Sequence, residues 1–418
     1  MKKYIIATLL LINNMFLLYS QTPNHPFPQN KKYFDNSIKP KNHIQAEMDK
    51  STSAFYNIWK KAYVKHDCAD KKQYYVLNDE ENVKGKGTTI CVSEGQGYGM
   101  QIMVLMAGYD KDAKTIYDGM FKFVKMHPSG KSQHLMSWSI LEGCITNTYN
   151  NNNTSATDGD LDIALSLLMA DNQWGSKGEI NYRDEALKML AAILKHERNY
   201  NNHTILLGDD NTKDDEDYND LRTSDFMPAH LRVFNKFYPN NEWINVIDKT
   251  YNVFEKMQSE YSQKYGLLPD FIVFKDGKYI PAKANYLESK YDGGYYYNAC
   301  RIPFRIAIDY LIYGDNRSKK ILDPLCDWIQ DKTANNVDKI CAGYHLNGES
   351  IIGHNYAVPA FVCPFAIGAM VNNQNQEWVN DCWDTIADFE FPDYKYFDNS
   401  IQMLSLLIIS GNYWLPQP

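Results

Sequence analysis

No two of the eight cysteines, Cys68, Cys91, Cys144, Cys300, Cys326, Cys341, Cys363 and Cys382, stand as a Cys-x-x-Cys pair. The usual spacing of a structural zinc site is therefore missing. A clustered basic face is missing too: 43 Lys and Arg are interspersed with 51 Asp and Glu, for a net charge of −8. Nucleic acid, whose phosphates select such a face, is disfavoured as a partner. No sustained period-two alternation points to a large sheet, and no long linker divides the chain.

A run long enough to span a membrane is lacking as well. The N-terminus, MKKYIIATLLLINNMFLLYSQ, has two lysines and then an apolar stretch broken by Asn13 and Asn14. This is the pattern of a signal peptide over residues 1–20, leaving residues 21–418 as one mature domain. The cleavage point is poorly marked, since Leu18 is not the small residue expected three positions before a cut after Ser20. The absence of a nearby cysteine disfavours a lipoprotein. Export to the periplasm or medium is the expectation, with no stable membrane insertion once the signal is gone. An exported protein can form disulfides. Even so, the apolar neighbours of Cys144, Cys300 and Cys363 suggest buried thiols.

What the chain does have is aromatic residues, 31 Tyr, 18 Phe and 8 Trp, and a succession of helical patterns. Many of the aromatics belong in a core, but tyrosine also suits stacking on sugar rings. Apolar spacing predicts helices over Ile44–Val64, Gly97–Ala107, Ala113–Met126, Met136–Gly143, Asp160–Ala170, Tyr182–Glu197 and Phe226–Phe237. Others follow over Asn241–Ser259, Ala299–Tyr313, Ser318–Lys332, Val358–Val371, Glu377–Ala387 and Ile401–Ser410. An extended, proline-containing segment from Gln21 to about Asn42 precedes them. Asn150–Asn153 is a polar loop. Asp209–Asp220 lacks the ligand order of an EF-hand and is expected to be a solvated acidic loop.

Several helices are preceded by polar or aromatic residues: Ser93-Glu94, Thr157-Asp158, Ser224-Asp225, Tyr297-Asn298, Asn355-Tyr356 and Asp398-Asn399. Capping explains each singly. Together they fit a ring of helices whose N-terminal ends meet around one cleft. In CVSEGQGYGM, Ser93 is an expected N-cap. Gly95, Gly97 and Gly99 are expected to bare the backbone to a ligand beside Glu94. Further on, Asp158, Asp160 and Asp162 alternate across a helix start with no local histidine, which favours capping and ligand contact over a metal. Trp174 is expected in the core. His196 and His203, seven apart, are expected at the surface.

SEGQGYGM, ATDGDLDIALSLLMADNQW, YYYNACRIPFRIAIDYLIYGD and the terminal SGNYW resemble glycoside hydrolase family 8 in content and order. The resemblance implies an all-α (α/α)6 barrel that hydrolyses a β-linked polysaccharide with inversion, needing neither metal nor organic cofactor. A monomer is expected. Inversion requires a carboxylic acid at the leaving oxygen and a second carboxylate that activates water on the opposite face. Glu94 matches the family's acid, with Asp158 beside it to raise its pKa and touch the sugar. Many members carry the base as an aspartate three residues before the arginine matching Arg301. Here that residue is Asn298, which accepts no proton. In the branch with lichenases and chitosanases the base is a glutamate on a longer preceding loop. Glu288 fits that description, with Asp292 as the competing choice. Arg301 is expected near carboxylates or sugar hydroxyls, Asn298 to orient water or sugar, Asp225 and Trp138 to line the cleft, and Tyr396 and Phe397 to form an aromatic platform. The implied activity is an endo-β-glucanase on β-1,3-1,4- or β-1,4-glucan. A chitosanase and a non-catalytic carbohydrate-binding protein are the alternatives.

Overall fold

Two kinds of helix alternate along the chain. In the computed structural model, residues 22–79, 88–149, 153–391 and 394–418 are described, so the expected signal segment and residues 150–152 of the polar loop lie outside them. One set, α1 (Gln45–Tyr63), α3 (Ala113–Met126), α5 (Tyr182–His196), α7 (Asn241–Tyr261), α9 (Asn316–Thr333) and α11 (Gln376–Asp388), is amphipathic. In α7, for instance, Trp243, Val246, Ile247, Tyr251 and Phe254 are buried, while Asp248, Asn252 and Lys256 face solvent. The other set comprises α2 (Ser93–Leu105), α4 (Thr157–Trp174), α6 (Pro228–Phe237), α8 (Ile302–Tyr313), α10 (Pro359–Ala369) and α12 (Tyr396–Ile409). These are buried along nearly their whole length, α6 less so than the rest. A helix apolar on all sides has to be enclosed by others. Accordingly α2 packs on α4, α4 on α6, α6 on α8, α8 on α10, α10 on α12, and α12 on α2, which closes a ring. The amphipathic helices lie outside it, giving the (α/α)6 barrel that was expected. Trp174 is in the core, as anticipated.

The two ends of the ring differ. Pro228, Pro303 and Pro359 open α6, α8 and α10 at the first or second helical position, where a missing N–H is of no consequence. These N-terminal ends gather at one mouth. At the other end the segment before α1 runs as a strap under the C-termini. Backbone N–H groups of Asn24, Phe27, Lys31, Phe34 and Ile38 donate to the carbonyls of Gln173, Ala107, Gly411, Leu311 and Met370. Five of the six inner helices thus have a terminal carbonyl satisfied by one extended stretch of chain.

Short strands shape the mouth. Thr89–Val92 pairs antiparallel with Ser139–Leu141, which pairs with Ile145–Thr146. The helix expected over Met136–Gly143 is therefore absent: the ladder supplies the backbone partners of Ser139–Leu141. Gly143 and Cys144 then turn with φ of 77° and 58°. Cys144 is not a free thiol but is joined to Cys68. Cys300 and Cys363 are buried thiols, as expected. A second sheet places Leu221–Arg222 beside Phe271–Lys275, itself in a hairpin with Lys278–Pro281. Its turn residues Asp276 and Gly277 both have positive φ, which suits a tight two-residue connection. The acidic loop is exposed over Thr212–Glu216, but its ends are tucked in. Asp209 accepts from the Ser155 N–H at 2.8 Å and Asp220 from the Phe274 N–H at 2.7 Å. Among the described residues no helix is long and apolar enough to cross a membrane.

Candidate active site

Glu94 is the second residue of α2 and Asp158 the second of α4, so both carboxyls stand at the mouth. What brings them together is glycine. A Cβ on Gly97 would lie 2.7 Å from Cβ of Asp162, and one on Gly159 would lie 2.4 Å from Oγ of Ser93. The two helices cross at a mutual notch that any side chain would force apart. Gly95 seats the Tyr396 ring, 3.0 Å from where a Cβ would be, and Gly99 faces Val76 and Trp59. The glycines therefore serve close packing of protein on protein, and not the approach of a ligand. Ser93 does not cap: it is the first helical residue, and the N-cap is Val92, whose side chain makes no capping bond.

A cleft with about 570 Å³ of room opens at the mouth, walled by Glu94, Asp158, Arg222, Glu288, Tyr297, Asn298, Arg301, Lys395, Tyr396, Phe397 and Asp398. Arg301, buried in the turn before α8, is its hub. Its Nη1 donates to Oε2 of Glu94 and, at 3.0 Å, to Oδ2 of Asp158. Its Nη2 donates to Oδ1 of Asn298 at 2.8 Å. Tyr396 donates from its hydroxyl to Oε1 of Glu94 at 2.9 Å. With 5% exposure Tyr396 is no platform for a sugar; it is a hydrogen-bond donor to the acid. Phe397 lines the cleft together with Tyr297, and the Arg301 guanidinium lies 5.5 Å from the Phe397 ring centre.

The environment pushes the two carboxyls apart in acidity. Burial raises the pKa of Glu94, and the charge on Asp158 adds to this, against the opposing pull of Arg301 and the Tyr396 hydroxyl. Asp158 is also buried, but Arg222 and Arg301 outweigh that and hold it below the usual carboxylate range. Two neighbouring carboxyls whose surroundings shift them in opposite directions are the kind of pair from which acid and base roles are assigned.

Three further residues stand elsewhere than the sequence suggested. Asp225 lies behind the wall, bound to Nε of Arg222 at 2.8 Å, and burial pushes its pKa up to about 7. Trp138 is half-buried and is not part of the cleft lining, although its carbonyl takes the Ser93 N–H. Asp292 is wholly buried and accepts the N–H groups of Leu287, Glu288 and Ser289 at 2.7–3.0 Å. It staples the loop that carries Glu288 and has no access to a water in the cleft. Glu288 itself is exposed and faces the cleft.

Sequence reasoning missed Arg222, Asp270 and Lys395. Arg222 binds Asp158 at 3.1 Å as well as Asp225. Its only local signal is its place three residues before that acid. Asp270 accepts the N–H groups of Tyr296 and Ala299 at 2.9 and 2.7 Å, fixing the turn that bears Asn298; burial pushes its pKa up to about 8. No local pattern marks it. Of the helix preludes, Asn355-Tyr356 is outside the lining, whereas Asp398 is in it and accepts the Ala360 N–H at the start of α10. His203 is partly exposed and bonds Glu242 at 2.9 Å, and His196 is also partly exposed. Among the described residues, the one grouping of three potential metal-ligand side chains is Asp67, Cys68 and Cys144, whose two sulfurs are joined to each other.

The model of glycosyl hydrolases family 8 matches residues 39–411. A protein named "Beta-glucanase" from Niallia circulans is 42% identical over 94% of this chain and 92% of its own. An "Endoglucanase" from Bacillus sp. (strain KSM-330) is 41% identical over 94% of this chain and 82% of its own. Among solved structures, a beta-1,3-1,4-glucanase from Paenibacillus sp. X4 superposes with a TM-score of 0.87 at 41% identity, covering 94% of this chain and 100% of that one.

Proposed function

Since the chain belongs to glycosyl hydrolases family 8, and is therefore a glycoside hydrolase, we propose that it is an exported, inverting endo-β-glucanase with Glu94 as acid and Glu288 as base. The supporting observation is the pairing of a half-buried Glu94, whose pKa burial raises, with an exposed Glu288 in the wall of the same cleft. Glu94 passes its proton to the glycosidic oxygen as the bond from that oxygen to the anomeric carbon breaks. Glu288 takes a proton from water, whose oxygen attacks the anomeric carbon from the opposite face. The sugar gains hydroxyl with inverted configuration, Glu94 is left ionised and Glu288 protonated, and exchange with solvent resets both. Asp158, ionised between Arg222 and Arg301, stabilises the positive charge that develops on the sugar ring.

Mixed-linked β-1,3-1,4-glucan, followed by β-1,4-glucan, is the substrate we favour. The names of the similar proteins, a beta-glucanase, an endoglucanase and a beta-1,3-1,4-glucanase, support that choice over chitosan. Export is supported by the leader-like N-terminus and by the Cys68–Cys144 disulfide, a bond rare in reducing compartments. A reducing-sugar assay on lichenan, carboxymethylcellulose, chitosan and xylan tests the reading. Release from lichenan above the others is expected; chitosan as the best substrate would overturn the glucan assignment, and no release from any would leave a carbohydrate-binding protein. Proton NMR should show the α anomer first.

A further inference from the structure

Glu288 stands on an exposed loop, yet its carboxylate is held. Nδ2 of Asn298 donates to Oε2 of Glu288 at 2.7 Å. The other end of that amide is equally fixed, since Oδ1 accepts from Nη2 of Arg301 at 2.8 Å and from Oγ of Ser224 at 3.4 Å. A guanidinium only donates, so it dictates which way the amide points: oxygen to Arg301, nitrogen to Glu288. Arg301 meanwhile grips Glu94 and Asp158 through Nη1. One hydrogen-bonded series therefore runs from the acid to the base across the cleft. Asn298 is 4% exposed and already engaged at both ends, which leaves it badly placed to orient sugar.

We propose that Asn298 is the positioning residue of the base, occupying Oε2 of Glu288 so that Oε1 is presented to the attacking water, and tying that position to Arg301. The proposal rests on the reading of Glu288 as base. An amide is suited to the task because it accepts from a cation and donates to an anion at neutral pH. An ionised carboxylate in its place would accept from Arg301 but repel Glu288. The charged and titratable groups around the pair are Arg301 from the turn before α8, Glu94 from α2, Asp158 from α4, Arg222 and Asp225 from the segment before α6, Lys395 and Asp398 at the start of α12, Asp292 on the Glu288 loop, and Asp270 beneath the turn.

The test is Asn298→Asp, nearly isosteric, measured as kcat and KM across pH on lichenan, with the thermal midpoint as a check of folding and the double variant Glu288→Ala/Asn298→Asp, expected to be inactive, to show that the new carboxylate does not itself serve as base. Protonated, the new carboxyl donates to Glu288 as the amide does; ionised, it displaces it. The alkaline limb of kcat should move to lower pH by about one unit or more, with KM within about twofold of wild type. An added anion acting only through Arg301 on Glu94 would raise the acid's pKa and move that limb upward. A limb that rises or stays put overturns the proposal. Asn298→Ala should lower kcat about tenfold to a hundredfold at little cost in KM, and wild-type kcat in that variant would also overturn it. Activity in Glu288→Ala would instead sink the assignment of the base. An inactive Glu288→Ala with an unmoved Asn298→Asp profile would sink the positioning role alone.

Discussion

Two layers of the barrel axis carry the same ion pair. Asp158 and Asp162 are one turn apart on α4, and Arg301 and Arg305, also four residues apart, face them from the α8 segment. In the upper layer Arg301 is shared with Glu94, and Asp158 is shared with Arg222, at the edge of an open cleft. In the lower layer Arg305 holds both oxygens of Asp162 at 2.9 and 2.5 Å. His230 at 2.9 Å and Gln101 at 2.6 Å complete the ring, and the carboxylate is fully buried. Burial would raise the Asp162 pKa, but Arg305 and His230 hold it far below the usual range. An Asp–Arg pair by itself is thus structure. What sets the upper layer apart is a second carboxyl sharing one guanidinium, with the pKa of Glu94 raised and that of Asp158 lowered at the edge of the cleft.

Glu94→Gln is the sharpest way to break the upper layer. It should lower kcat by about 10³-fold or more on lichenan while leaving the thermal midpoint near wild type, because the amide has no proton to give. Substantial turnover would remove Glu94 from the acid's role. The lower layer should answer in the opposite currency. Asp162→Ala leaves the Arg305 guanidinium buried and unpaired, and urea unfolding should register a loss of about 3–5 kcal/mol. A variant as stable as wild type but inactive would erase the distinction between the layers.

Between them on α4 lies a third fate for the same residue type. Asp160 and Glu197 are buried carboxyl neighbours, and burial raises both, Glu197 to about 8. Folding therefore takes up protons at pH values between the ordinary carboxyl range and about 8. The stability of this pair is fully present at low pH and is lost as pH rises through the folded value, at roughly 1.4 kcal/mol per unit for one proton. Unfolding measured at pH 6 and 7.5 should show a fall, to which Asp225 and Asp270 also contribute, that Glu197→Gln makes smaller by about 2 kcal/mol; an equal fall in variant and wild type would refute it. The smallest effect belongs to Tyr396→Phe. Its hydroxyl favours the ionised form of Glu94, so removing it should move the alkaline limb of kcat/KM upward by less than about one unit. A downward shift would mean that Tyr396 serves the protonated acid.

These contrasts also separate what was legible in the sequence from what was not. The helices were legible because their apolar periods are long, and Ala113–Met126 begins and ends where the spacing put it. Glu94, Asp158 and Arg301 sit inside contiguous motifs at helix starts, so chemistry and local pattern coincide there. The failures occur where a distant partner decides. Gly97 looks like room for a ligand until α4 occupies that room. Ser139–Leu141 has helical spacing but finds its backbone partners across two other strands. Asp292 and Glu288 are alike in sequence, and only the three amides gathered on Asp292 tell the staple from the exposed acid. Arg222 reaches Asp158 and Asp270 reaches the Asn298 turn from dozens of positions away, and only the nearby Asp225 hints at the first.

The strap beneath the barrel has a further consequence. Asn24 donates to the carbonyl of Asn172, and the backbone of Gln417 exchanges hydrogen bonds with the side chain of the same Asn172. Both ends of the barrel fold are thus moored to one residue near the end of α4, on the face turned away from the cleft. Any tether fused before Asn24 or after Gln417 would emerge there, so the enzyme can be anchored from behind while its open side meets a surface of solid glucan.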